Sequence, residues 1–253
     1  MYHLPDLTLH LGAVAVSPHV LFESLAYTVG FWLYARARGR QGDVIDTSAR
    51  NSIILAAIAG AAIGSKLLAW VEDPSVLVAR AADWRFWFEG KTIIGGLLGG
   101  TIAVEWMKAR VGITQRTGDL FAVPIAVGIA VGRIGCFVAG LPDHTYGIAT
   151  ALPWGVDFGD GIARHPVQLY ESVFALLLAA FLARFESRRP GDAFRVFLFA
   201  YLLWRLVIDF WKPGEPVLGL TTLQWACLAG ALYYARDVLS AFSVRKVEAV
   251  HGG

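Results

Sequence analysis

Val131-Gly132-Arg133-Ile134-Gly135-Cys136-Phe137 closes an apolar run that opens at Leu120. Such a run approaches the ~20 residues that a helix needs to cross a bilayer. Yet it carries an arginine, which costs roughly 2.5–3.5 kcal/mol to place at bilayer depth on insertion scales. A chain keeps such a charge where it has a partner or a task. The same question arises at Glu23, at Lys66, in Arg164-His165-Pro166-Val167-Gln168-Leu169-Tyr170-Glu171, and at Arg205 with Asp209.

The rest of the chain repeats the pattern. Apolar segments at 18–34, 52–71, 92–107, 120–138, 167–185, 196–211 and 223–239 predict seven membrane-spanning helices. Arg36, Arg38, Arg40, Arg50, Lys108, Arg110, Arg116, Arg184, Arg188, Arg189, Arg195, Arg236, Arg245 and Lys246 gather in alternate connections and the tail. The other side receives Arg80, Arg85, Lys91, Arg164 and Lys212. The excess of basic residues on cytoplasmic loops then places the N-terminus outside and the C-terminus in the cytoplasm. The expectation is an all-α polytopic membrane protein, one integral domain over 1–253, with an extracytoplasmic lobe at 139–165 between spans four and five.

Composition agrees with that class. With 56% hydrophobic residues, the chain is too apolar for an ordinary soluble domain. A net charge of +2 offers no electrostatic reason for a nucleic-acid partner. Cys136 and Cys227 sit in apolar runs and provide neither a disulfide framework nor a zinc spacing. No basic stretch precedes the first apolar run, so no cleaved signal peptide is expected. Two outer connections are long. The aromatic stretch 72–90 reads as a short amphipathic piece on the interface, and the lobe holds candidate strands at 146–149 and 154–158. Gly95, Gly96, Gly99 and Gly100, and again Gly128, Gly132 and Gly135, mark close helix contacts.

Depth and helical phase relate the polar residues. At about 1.5 Å rise per residue, Lys66, Arg133 and Asp209 all lie roughly 21–22 Å from the cytoplasmic ends of their spans. Glu23 and Glu171 open spans that run inward, which puts them in the same outer half. Tyr201, Arg205 and Asp209 form one stripe, as do His19, Glu23 and Tyr27. Gln168 and Glu171 share a face, and so do Arg133, Cys136, Phe137 and Gly140. Each residue also has a plainer reading. Arg205 and Asp209 make a structural ion pair, Lys66 snorkels to the headgroups, Arg133 satisfies carbonyls of the lobe, and Glu23 partners Lys66 or Arg133. His165 orders its loop, His144 is solvated, and Cys136 fills a gap as a neutral thiol.

Taken together, several cations in the outer half suit an anionic phospholipid headgroup, since arginine meets phosphate through a planar fork of donors. No P-loop, HExxH, GxSxG or kinase signature is present, and neither a metal nor a cofactor is expected. The chemistry is then electrostatic stabilisation of a phosphate as bound or leaving group.

These residues resemble the prolipoprotein diacylglyceryl transferase family. The resemblance runs from about Tyr27 to Trp211. Its landmarks are Tyr27-x-Val29-Gly30-Phe31, Gly64-Ser65-Lys66-Leu67, Gly95-Gly96-Leu97-x-Gly99, Gly132-Arg133-Ile134-Gly135-x-Phe137, the Arg164–Glu171 run, and Tyr201-x-x-x-Arg205-x-x-x-Asp209-Phe210. It implies a bacterial cytoplasmic-membrane enzyme of seven spans. Such enzymes transfer a diacylglyceryl group from phosphatidylglycerol to the lipobox cysteine of a prolipoprotein, with glycerol phosphate leaving. It also implies that Arg133, Arg205 and Tyr201 are catalytic. Lys66, Glu23, His165, Gln168, Tyr170, Glu171, Asp209, Gly95, Gly96 and Cys136 would line the substrate. The chain departs from the family pattern where Cys136 and Ala139 replace asparagines, Leu141 a glutamate, Ile94 a histidine, Asp209 a glutamate and Lys66 an arginine. Those departures motivate the alternative of a membrane protein that binds or translocates phospholipid without catalysis.

Overall fold

A computed structural model describes residues 2–3, 9–11, 14–72 and 74–243. Arg245 and Lys246, counted above among the cytoplasmic charges, lie outside them. Among the described residues the helices are α1 (Pro18–Gln41), α2 (Thr47–Glu72), α3 (Pro74–Arg80), α4 (Ile93–Val111), α5 (Asp119–Ala139), α6 (Val167–Leu182), α7 (Asp192–Ile208) and α8 (Thr222–Ser243). The strands are β1 (Tyr2–His3), β2 (Leu9–Leu11), β3 (Val14–Val16), β4 (Val156–Asp157) and β5 (Ala163–Arg164). Every apolar segment expected to span is helical. The fifth is helical only to Leu182; the sixth is helical to Ile208, and its last residues, Asp209–Trp211, tighten into a 3-10 turn. α2 and α5 are long and apolar enough to cross a membrane, and α6 is a shorter apolar helix. Leu55, Ile58, Ile63, Phe31, Trp32, Leu177 and Tyr233 stand exposed on helix surfaces. So much uncovered apolar area suits lipid rather than water.

The helix ends follow from the sequence. The Ser17 hydroxyl accepts from the N–H of Val20, and Pro18 opens α1 where its missing N–H costs nothing. Thr92 caps α4 by accepting from Gly95 N, and Gly112 ends that helix in the left-handed region. Thr221 and Gln224 cap α8 reciprocally, each side chain accepting from the other's N–H at 3.1 and 2.9 Å.

The chain forms two compact units. The first comprises Met1–Gly42, Gly118–Ser187 and Val207–Pro213. In it, α1 packs along α5, and α5 along α6. A Cβ on Gly135 would lie 2.4 Å from Cβ of Phe22, so α1 and α5 close to within a side chain's thickness there. Above these helices sits the lobe. β4 pairs antiparallel with β5 and parallel with β1. Of the two strands expected in the lobe, 154–158 shrinks to β4, and 146–149 contributes a single bridge, Ala149 to Arg164. The remaining bonds of that stretch are irregular: Gly147 N and Thr150 N donate to His165 O and Ala163 O, while Ile148 N donates to Trp211 O.

The second unit comprises Asp43–Thr117, Arg188–Leu206 and Gly214–Gly253. Its strongest feature is the α2–α4 contact. A Cβ on Gly64 would stand 2.4 Å from Gly95 O, and one on Gly99 2.4 Å from Gly60 O. Backbone thus touches backbone, as the glycine spacing predicts. At the other end of α2, Arg50 is fully buried; its guanidinium grips Asp43 and donates to Thr117 O. The connection after α2 forms α3 and a 3-10 turn at Phe86–Phe88, held by Arg80 bridging Glu89 and Asp83.

Candidate functional site

The polar centre of the first unit starts at Arg133. Ala122, Ala126 and Ala130, four residues apart on α5, are buried and let the helix lie close to its neighbours, and Ser172 Oγ on α6 donates to Ala130 O at 2.9 Å. That contact brings Glu171 opposite Arg133, with Nε 2.9 Å from Oε2. Both side chains are buried, so Arg133 has a carboxylate at hand instead of lobe carbonyls alone. Gln168, one turn earlier on α6, is 1% exposed, and its amide has no hydrogen-bond partner among the described residues. An orphaned buried amide calls for a partner.

One turn beyond Arg133, the Cys136 sulfur lies 3.9 Å from Arg133 Nη1 and 3.9 Å from His19 Nδ1. The gap-filling thiol expected among apolar neighbours is therefore in polar company. His19 Nδ1 also lies 2.6 Å from Asp143 Oδ1, and its Nε2 is 3.5 Å from Glu23 Oε2. Tyr27 donates to Glu23 Oε1 at 3.1 Å. The stripe His19–Glu23–Tyr27 is thus real, and Glu23 meets the residues of its own helix. Asp143 ends the short 3-10 turn that follows α5 and accepts from Thr145 Oγ1. Burial works to raise the Asp143 carboxyl, but the hydrogen bonds with His19, Thr145 and Cys136 together hold it below the usual carboxylate range.

His165 and Tyr170 meet at the edge of the lobe. His165 Nδ1 is 3.4 Å from the Tyr170 hydroxyl, which accepts from Trp154 Nε1 at 2.7 Å. The His165 backbone bonds Gly147 and Ile148, and its ring packs 6.4 Å from that of Trp211. Here the residue orders its loop. Asp209 is buried and begins the 3-10 turn whose last residue, Trp211, accepts from Ile148 N. Arg164 pairs with both oxygens of Asp160 at 2.6 Å.

The other predicted residues belong to the second unit. Lys66 donates to the carbonyls of Phe88, Glu89 and Gly90. These engage the three donors of an ammonium, so Lys66 clamps the aromatic connection. Gly95 faces Gly64, while a Cβ on Gly96 would make only ordinary contacts, the nearest at 3.6 Å. Tyr201 and Arg205 are almost fully buried on α7, with the Tyr201 ring stacked 6.1 Å from Phe197.

A model of the family described as prolipoprotein diacylglyceryl transferase matches residues 6–236. The chain belongs to that family. A phosphatidylglycerol–prolipoprotein diacylglyceryl transferase of Solidesulfovibrio magneticus is 31% identical over 241 residues, covering 87% of this chain and 88% of that protein. Proteins of the same name from Geobacter sulfurreducens and Cupriavidus necator are 30% and 31% identical, with 86% and 87% of this chain and 86% of each relative covered. The diacylglyceryl transferase family is therefore represented here by nearly whole-length matches. The sequence reading did not find one part of the site. Asp143 lies beyond the end of α5, out of helical phase with Cys136, and His19 is 117 positions from Cys136. The one available signal was a histidine and a cysteine expected at equal depth.

Proposed function

We propose that this chain is a membrane transferase that moves a diacylglyceryl group from phosphatidylglycerol to the cysteine thiol of a prolipoprotein. The observation that carries the reading is the family match across residues 6–236. The relatives are transferases by name, which favours transfer over passive lipid binding. We read the chain as one integral domain crossing the bacterial cytoplasmic membrane seven times, N-terminus outside and C-terminus inside, with the lobe at 139–165 on the outer face. The alternation of basic loops supports that orientation.

In this reading Arg133 carries positive charge to the lipid phosphate. Glu171 sets its carboxylate 2.9 Å from Nε of the guanidinium, and the planar fork of donors suits a phosphate. As the bond between glycerol carbon and phosphate oxygen breaks, charge accumulates on the leaving glycerol phosphate, and a preplaced guanidinium stabilises it. Gln168 offers a buried amide to the polar part of the lipid. Arg205 and Tyr201 receive catalytic roles from the resemblance, and Asp209, Lys66, Glu23, His165, Tyr170, Gly95, Gly96 and Cys136 supporting ones. Purified protein incubated with labelled phosphatidylglycerol and a lipobox peptide should yield a thioether-linked peptide and free glycerol phosphate. Release of no glycerol phosphate, with the peptide unchanged, excludes the reaction.

A further inference from the structure

His19, Cys136 and Asp143 place a nitrogen, a sulfur and a carboxylate oxygen within 4.8 Å of one another. The set is mixed and partly soft, unlike a patch of surface acids. A borderline-soft cation of the zinc class takes such ligands in a tetrahedron, and with three protein ligands it keeps a fourth position open. The surroundings fit as well. A metal-bound imidazole usually gives its other ring N–H to a carboxylate, and Glu23 stands 3.5 Å from His19 Nε2, itself held by Tyr27. A carboxylate thus stands at each nitrogen of the His19 ring, Asp143 at Nδ1 and Glu23 at Nε2. Cys136 and the Asp143 side chain are buried, while the His19 side chain is 27% exposed, so the way out of the site runs past His19.

We propose that His19 Nδ1, Cys136 Sγ and an Asp143 carboxylate oxygen bind a zinc-class divalent cation whose open position takes the acceptor thiol. The second half of this statement rests on the transfer reaction proposed above. A thiol bound to such a cation loses its proton to solvent and remains nucleophilic as a thiolate. Its sulfur forms the new bond to the glycerol carbon while the carbon–oxygen bond to phosphate breaks. The electron pair leaves with glycerol phosphate, beside Arg133. The product thioether carries no charge and is a weaker ligand, so it departs. Glu23 is a positioning residue in this scheme.

The test uses the full chain purified in detergent, stripped with a chelator and titrated with cobalt(II). Binding at one equivalent should produce a thiolate-to-cobalt charge-transfer band and the visible bands of a tetrahedral ion. Cys136→Ser should lose the charge-transfer band. Glu23→Gln should keep the spectrum but bind about 10–100-fold more weakly, the usual cost of losing such a carboxylate. A lipobox peptide should intensify the band, and its serine analogue should not. Absence of the band at one equivalent, its persistence in a folded Cys136→Ser protein, or indifference to the peptide thiol overturns the proposal. Transfer is assayed on the same preparation. Bands without transfer would sink the proposed reaction and leave the metal site standing. Transfer that survives chelation would do the reverse.

Discussion

The α1–α5 contact and the α2–α4 contact are both closed over glycine, and they use that closeness differently. Between α2 and α4, backbone meets backbone at Gly60, Gly64, Gly95 and Gly99, and the polar residue nearby, Lys66, is spent on three carbonyls of its own unit. Between α1 and α5, glycine meets a side chain, Phe22, and the polar residues around it face one another: Arg133 with Glu171, Cys136 with His19, His19 with Asp143 and Glu23. Glycine in the first case brings backbone to backbone. In the second it stands among polar side chains that meet one another. A glycine motif in a membrane chain therefore says how near two helices come, and only the polar residues around it say why.

That contrast can be broken in four places, the first expected to have the largest effect. Gly64→Leu should yield no folded protein, because even a Cβ there falls 2.4 Å from Gly95 O, and a whole side chain against backbone exceeds the ~1–3 kcal/mol of ordinary overpacking. Gly96→Ala, with its nearest contact at 3.6 Å, should fold normally. Size-exclusion profiles and thermal midpoints in detergent decide both, and a wild-type midpoint for Gly64→Leu would refute the structural role of that helix pair. Next comes Glu171→Leu, which removes the carboxylate 2.9 Å from Arg133. Breaking one side of a buried pair costs about 3–5 kcal/mol, while replacing both sides with apolar residues is often neutral. The double variant Arg133→Met, Glu171→Met should therefore unfold later than Glu171→Leu yet transfer nothing. Equal stability of the two would show that the pair is not coupled.

A smaller effect is expected from Lys66→Met. It frees the carbonyls of Phe88, Glu89 and Gly90, at about 1 kcal/mol for each bond lost where water can replace it. Limited proteolysis should then cut the 74–90 connection faster, and an unchanged digestion rate would count against the clamp. The smallest concerns Asp160. Its hydrogen bonds from Arg164 hold the carboxyl below the usual carboxylate range. A lowered folded-state pKa contributes stability that is present above the ordinary value and is lost as the pH falls through the folded one. Asp160→Asn should lower the thermal midpoint slightly at neutral pH and not at all in strong acid. A difference that persists in acid would assign the effect to something other than charge.

The positions of the helices were legible because apolar length and capping residues are local properties. Ser17, Pro18, Thr92 and Gly112 act as their types predict. The glycine contacts were legible for the same reason. Less legible was the lobe, where 146–150 bonds to residues on both sides of α6 and α7, a long-range pairing that no short pattern encodes. Of the site, helical phase gave the His19–Glu23–Tyr27 stripe and the proximity of Cys136 to Arg133. It did not give the contacts of Glu23 with His19 and Tyr27 their distances, nor the three carbonyls that Lys66 meets, because long side chains choose partners by what tertiary packing leaves near them. Asp143 was beyond reach: Gly140 breaks the helical phase with φ 69° before the turn that carries it.

The α2–α4 contact also has a consequence for heredity. Any one-base change of a glycine codon that keeps the reading frame open and alters the residue adds at least a Cβ. At Gly64 and Gly95 that atom would come within 2.4 and 2.2 Å of the opposing carbonyl oxygen. No first step is harmless, and a compensating step on the other helix cannot help, since its partner has nothing left to remove. In this chain the two helices leave each other no room for a side chain at these positions.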